Sequence, residues 1–487
     1  MTTRSTRRRL LQTISAAAAA GAIAPAFLSR PARAQSRPAD QKLLFVVAAA
    51  GGGSLIDSFM PIVDPGSSPI VSYPTNLIAE ANGFRCVHAP FPINLGGFNV
   101  TGHLLPFAQR HGQDMAVMAQ ESTSVNHIIA QKRSLTGAGI NGGRTILEAM
   151  ALRHGEGLIL PNVNMCESGY LEPGDDATVS DRARAVAVAD ALLFPFATDG
   201  FRGIRNAPAR PLLERARQVR SRLDKESVHG ITFKDAPMRR NYLDNRDRVA
   251  PLMEARDLIT KLTMVANVPG QIPLNDFGLE SSPDGAAVRA KFPDLGNDPL
   301  EAQAALAFLL ARHKVSCAMA ISPSFNPLLE GGLKNTPLAF DFSHSNHVLT
   351  QYAMWSRVLK VTDGLIALLK AQDWDDNDPS QGKMWDRSVV YIATDFGRDK
   401  TRPPGNFEFG SGHHLNNGNI IISPLVRGGR LYGDVDPATG LTFGFNRTTG
   451  VAEPGTLMHE GDVYSVLAQA LDIDFAGRTD VPIMVRS

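Results

Sequence analysis

Three aspartates, Asp57, Asp341 and Asp395, stand after predicted strands, and four of the twelve histidines, His344, His347, His413 and His414, lie beside them. Carboxylate oxygens and neutral imidazole nitrogens are the donors that zinc takes, while carboxylates alone suit magnesium, manganese or calcium. The pattern therefore points to a divalent metal centre, with zinc first. Two ions about 3.5–4 Å apart could bind an ester oxygen and activate a hydroxyl between them. Ser124, with Thr123 beside it, is the candidate nucleophile, because both open a predicted helix over Ile128–Leu135. Amide donors and the positive end of the helix dipole favour work on an anionic ester there. The same hydroxyls serve equally as plain helix caps. Each Asp or His taken singly is as readily a structural hydrogen-bonding residue; the joint pattern carries the metal reading.

Such residues need elements to hold them. Lys42–Ala50 is apolar without alternation, as expected of a strand covered on both faces. It breaks at Gly51-Gly52-Gly53-Ser54, but Ile56 stands where either a dinucleotide fingerprint or a nucleophile elbow would need glycine. The glycines instead let the backbone pass close to a site and deliver Asp57 there. Further strands are predicted at Met115–Met118, Val315–Ile321, Ser388–Thr394 and Asn419–Val426, and helices at Leu104–His111, Pro299–His313, Val348–Leu369 and Val463–Leu471. Leu212–Val268 reads as charged amphipathic helices. The expected fold is α/β, a three-layer sandwich with a mainly parallel central sheet over 35–487, carrying a helical insertion at about 180–298.

The chain's 49 basic and 48 acidic residues give a formal charge of +1, but six arginines and no acid lie in residues 1–34. Without that segment 43 basic residues face 48 acidic ones, a net −5, so no nucleic-acid partner is expected. Thr6-Arg7-Arg8-Arg9-Leu10-Leu11-Gln12 resembles the twin-arginine export motif. An alanine-rich apolar run, Ala16–Leu28, and an A-x-A site at Ala32-Arg33-Ala34 follow it. The run is shorter than the 18 or so residues of a membrane span. Residues 1–34 are thus expected to be a signal read by the twin-arginine export machinery, which makes the protein periplasmic or secreted and exported already folded. Cys86, Cys166 and Cys317 show no paired spacing, and no thiolate metal site is expected.

The order of acid after an N-terminal strand, hydroxyl at a helix start, acid with histidine, acid, then histidine resembles the alkaline phosphatase/sulfatase superfamily. More narrowly, GGGSLIDSFMP, STSVNHIIAQKRSLTGAG, FDFSHSNH and TDFGR…GSGHH…NIIISPLVRGGRLYGDVD resemble a bacterial family of twin-arginine-exported proteins of unknown function placed in it. The resemblance implies Asp57 as a ligand on the nucleophile side and Ser124 or Thr123 as nucleophile. It implies Asp341 with His344 or His347 as the acid–histidine pair, Asp395 as the later acid, and His413 or His414 as the last histidine. Two features depart from the superfamily pattern: Phe396 follows Asp395 where histidine is the rule, and the nearer pair is spaced Asp-x-x-His. The implied activity is hydrolysis of a phosphate or sulfate ester in a small molecule or polymer. The alternative is an exported binding or assembly factor that keeps the scaffold without turnover.

Overall fold

The structure is a computed structural model that describes residues 38, 40–64, 69–88, 93–95, 98–197, 209–244, 246, 252, 258–264, 284–323, 339–403, 405–406 and 408–486. The expected signal, 1–34, lies outside them. The central sheet is built from β1 (Leu43–Ala49), β2 (Met115–Glu121), β3 (Asn162–Asn164), β4 (Val186–Ala187), β5 (Ala318–Ile321), β6 (Ser388–Thr394), β7 (Asn416–Ile422) and β8 (Arg430–Tyr432). Its eight strands lie in the order β8-β2-β7-β6-β1-β5-β3-β4. Every neighbouring pair is parallel except the two made by β7, which runs against β6 and β2.

All seven residues of β1 and of β6 are buried, which is why their sequences show no alternation. Helices α1 (Leu104–His111), α4 (Pro299–Arg312) and α5 (His347–Ala371) pack together in one layer, and α2 (His127–Thr136), α3 (Ile146–His154) and α6 (Glu460–Ala470) in another. The α/β sandwich with a mainly parallel sheet is the expected fold class. Cys86, Cys166 and Cys317 are free and buried. Within 180–298 the described helices are Phe194–Ala197, Arg210–Glu226, Val228–Thr232, Pro237–Asp244, Leu258–Leu262 and Gly285–Lys291.

Register decides where the chemistry collects. Ala49 of β1 sits beside Thr394 of β6, so the Gly51-Gly52 turn meets Asp395. Asn416 of β7 faces Glu121 of β2, so the residues entering β7 meet those leaving β2. The carboxyl ends of β1, β2 and β6 and the start of β7 thereby share one edge, the usual place for function in open α/β sheets.

Away from that edge, Asp363 of α5 ties α1 to the core. Its carboxylate takes His111 Nε2 at 2.7 Å, His103 Nε2 at 3.2 Å and Arg110 at 2.6 Å. Burial alone would raise its pKa, but these bonds outweigh burial and hold it well below the ordinary carboxylate range. A depressed folded-state pKa gives stability that is present above the unfolded value and lost as pH falls through the folded one. Asp363→Asn should therefore cost about 1–3 kcal/mol at pH 7. Urea melts of both proteins should show the gap narrowing by about pH 3, below the unfolded carboxylate value.

Candidate metal centre

Asp395, the first residue after β6, is 1 % exposed and needs every donor it can reach. Gly52 N–H gives 2.7 Å to Oδ1 and Gly51 N–H 3.3 Å to Oδ2. Both glycines have positive φ, and a Cβ on Gly51 would stand 2.5 Å from the Asp341 amide nitrogen. The glycine pair is thus an amide cradle for a carboxylate. From α2, Gln131 Nε2 donates to Oδ2 at 3.2 Å and His127 Nδ1 approaches it at 2.8 Å. His127 and Gln131 are four residues apart, so one helix face presents both.

Asp395 fixes one nitrogen of His127 and so aims the other. His127 Nε2 lies 3.2 Å from Asp341 Oδ1. Asp341 and His344 share a short 3-10 helix, Ala339–His344, and His344 Nε2 is 3.1 Å from the same oxygen. His413 Nε2 is 3.6 Å from Asp341 Oδ1 and 2.9 Å from His344 Nε2. The other nitrogen of His413, Nδ1, faces the Val125 carbonyl at 3.0 Å. A carbonyl can only accept, so Nδ1 carries the hydrogen, and a neutral His413 turns its Nε2 lone pair toward Asp341.

These contacts span 2.9–3.6 Å. Ligand atoms bonded tetrahedrally to zinc at about 2.0–2.1 Å would be about 3.3–3.4 Å apart. The donor set of one carboxylate oxygen and imidazole nitrogens therefore fits a zinc-sized ion held by His127, Asp341 and His413. His344, with its side chain 46 % exposed, stands at the mouth as a fourth ligand or as a group facing an open position. The electrostatics are those of a carboxylate–imidazolium pair, whose proton on His127 a metal ion would displace. For His127 burial lowers the pKa, yet the bonds to Asp341 and Asp395 win and raise it to about 9. For Asp341 burial raises the pKa, but His127, His413 and Arg398 together drive it far down. His344 moves down, through burial and then the Arg398 charge.

The other candidates stand elsewhere. Asp57 and His347 form a buried pair at 3.1 Å, and the Tyr73 hydroxyl donates to Asp57. Burial would raise the pKa of Asp57, but His347, Ser54 and Tyr73 lower it. Among the described residues, neither forms a hydrogen bond or ion pair with Asp341, His127, His344 or His413. In the two-residue ribbon Gly397–Arg398 against His413–His414, neighbouring side chains point to opposite faces. His413 accordingly reaches Asp341, whereas His414 Nδ1 accepts the Asn416 amide at 3.0 Å. The helix cap is Asn126, which accepts from Ile129 N–H, rather than one of the hydroxyls before it. Ser124 Oγ accepts from Asn126 N–H at 3.1 Å. Thr123 Oγ1 donates to Glu460 at 3.0 Å and lies 3.1 Å from Arg133.

His127, Gln131 and Arg398 were not among the residues that sequence reasoning singled out as ligands. The helical spacing of His127 and Gln131 and the arginine of TDFGR were the available signals. Phe396, the residue after Asp395, packs on His127 and His413 with ring centres 4.5 and 4.3 Å away.

No family model matches the chain, and no curated protein matches it. Among solved structures it is similar to a crystal structure of Ps i-CgsB, with 8 % identity and a TM-score of 0.30, over 89 % of this chain and 73 % of that one. The same protein in complex with k-i-k-neocarrahexaose gives 9 % identity, the same TM-score of 0.30 and the same coverage. At that TM-score the likeness carries no argument about the site.

The amide cradle can be tested directly. Gly51→Ala would force a positive φ on alanine and drive its Cβ against the Asp341 backbone. A loss of at least about 1–3 kcal/mol is expected. Thermal melts check it, and an unchanged melting temperature would contradict the cradle.

Proposed function

We propose that the chain is an exported metal-dependent hydrolase of phosphate or sulfate esters. The observation that carries the reading is the convergence of Asp341 Oδ1 with His127, His344 and His413 Nε2 at the open end of a parallel sheet. Asp341, His127 and His413 would hold a divalent ion, zinc first on the nitrogen-rich donor set, with magnesium, manganese or calcium less suited. When bound, such an ion supplies Lewis acidity toward an ester oxygen.

The chain's own residues do the rest. Asp395 holds His127 at Nδ1, which fixes its ring and raises the basicity of Nε2. The Val125 carbonyl does the same for His413 through Nδ1. Ser124 lies three residues before α2, so its hydroxyl is nearer to His127 along the chain than that of Thr123. It is also the less committed one, because Thr123 already donates to Glu460. An anionic ester arriving there would meet the amide end of α2. Export by the twin-arginine machinery rests on the arginine motif and cleavage site in residues 1–34. Among the described residues no helix is long and apolar enough to cross a membrane.

A second reading keeps the scaffold without turnover, as an exported binding or assembly factor whose acids and histidines serve as structural hydrogen bonders or hold a single structural metal. It draws on the hydroxyls themselves, since neither Ser124 nor Thr123 hydrogen-bonds to the Asp341 cluster among the described residues.

Chelator-stripped and zinc-reloaded protein, assayed on aryl phosphates and aryl sulfates, separates the two. Turnover is expected only after reloading. Ser124→Ala should remove it with zinc still bound, and Asp395→Asn should weaken zinc affinity by about 10–100-fold. Zinc binding without turnover on any ester would favour the second reading, and absence of bound metal would remove the hydrolase reading.

A further inference from the structure

The sequence suggests a site for two ions, because three acids end or follow strands. Their surroundings differ sharply. Both oxygens of Asp395 are already occupied, Oδ1 by Gly52 and Phe396 amides at 2.7 and 3.2 Å, and Oδ2 by Gly51, Gln131 and His127. Asp57 is occupied by Tyr73 on one oxygen and faced by His347 on the other. Both carboxylates are thus committed to protein partners while Arg398 stands beside them.

What stands among these acids is Arg398. Its side chain is 0 % exposed. Its guanidinium donates to Asp341 Oδ1 at 3.0 Å, to the carbonyls of Phe340 at 3.2 Å, Ser411 at 3.3 Å and Gly52 at 3.4 Å, and to that of Gly51. Three of these acceptors gather on Nη2 and one each on Nε and Nη1, and Nη1 also lies 3.4 Å from His344 Nε2, so the guanidinium is held at all three nitrogens. Burial pulls its pKa down, while Asp341, Asp395 and Asp57 all act to keep its proton. Once the ion displaces the proton of His127, three carboxylates are balanced by one arginine and one divalent ion. A second divalent ion would leave uncompensated positive charge in a buried place, at a cost of several kcal/mol.

We propose that Arg398 is a built-in cation that takes the place of a second metal, so that the centre binds one divalent ion, at Asp341, His127 and His413. This rests on the reading of that cluster as a metal centre. It also accounts for the departures from the two-ion pattern. The strand-end acids remain, but Asp395 serves as the outer partner of His127, and Asp57 is turned inward to His347.

The test is a count. The full chain is stripped with a chelator and dialysed against buffered zinc. Bound metal per chain is then measured by plasma mass spectrometry. The wild type should hold one zinc, and Asp57→Asn should still hold one, since Asp57 lies outside the site. Arg398→Met, if circular dichroism shows it folded, should take up a second ion in the space and charge left by the guanidinium. Two ions in the wild type would overturn the inference and leave the metal-centre reading standing. A single ion in both wild type and folded Arg398→Met would remove the arginine's role. Loss of the ion in a folded Asp57→Asn would place Asp57 in the site and overturn the assignment. No bound metal in the wild type would overturn the inference together with the reading beneath it. If neither variant folds, the wild-type count still decides between one ion and two.

Discussion

A carboxylate buried at the end of a central strand has to be satisfied on all sides, and the edge of this sheet is arranged around that demand at Asp395. An unpaired ion there would cost several kcal/mol. Two glycine amides answer it from one side, in a turn that only glycine can make so close to the Asp341 backbone. From the other side α2 enters with His127 and Gln131 on one face. Once His127 is pinned by Nδ1, its Nε2 can point only toward Asp341, and the 3-10 turn and the short ribbon bring His344 and His413 to the same oxygen. The metal-like geometry of the cluster is thus a consequence of neutralising an acid one layer further in.

That layering explains what the sequence could and could not reveal. β6 was legible to the residue, because seven consecutive buried positions leave an unbroken apolar run. β7 begins three residues earlier than its apolar run, at Asn416-Asn417-Gly418. Those polar residues read as loop, yet they are buried and bonded across the sheet: Asn417 to Ser122 at 2.8 Å and also to Thr394, and Asn416 to Thr442 at 3.3 Å. Pairing of this kind is tertiary and leaves no periodicity to read.

The site was legible in part for the same reason. Asp341, His344 and His413 do lie together, although Asp341 stands in a 3-10 turn rather than at a strand end. Choosing His413 over His414 required the strand character of a two-residue ribbon, which no sequence pattern announces. His127 lay hidden at a helix start, where capping is the ordinary explanation. Arg398 lay hidden because a buried arginine is unusual, and its five acceptors come from three separate segments.

The central claim is that imidazoles and a carboxylate of this cluster, with no sulfur, form the first coordination shell of a bound ion. X-ray absorption at the zinc edge of the reloaded protein addresses it most directly. Nitrogen and oxygen scatterers at about 2.0–2.1 Å are expected, with the outer-shell signature of two or three imidazoles that is lost in His127→Ala/His413→Ala. A shell containing sulfur, or one whose imidazole signature survives that double substitution, would contradict it.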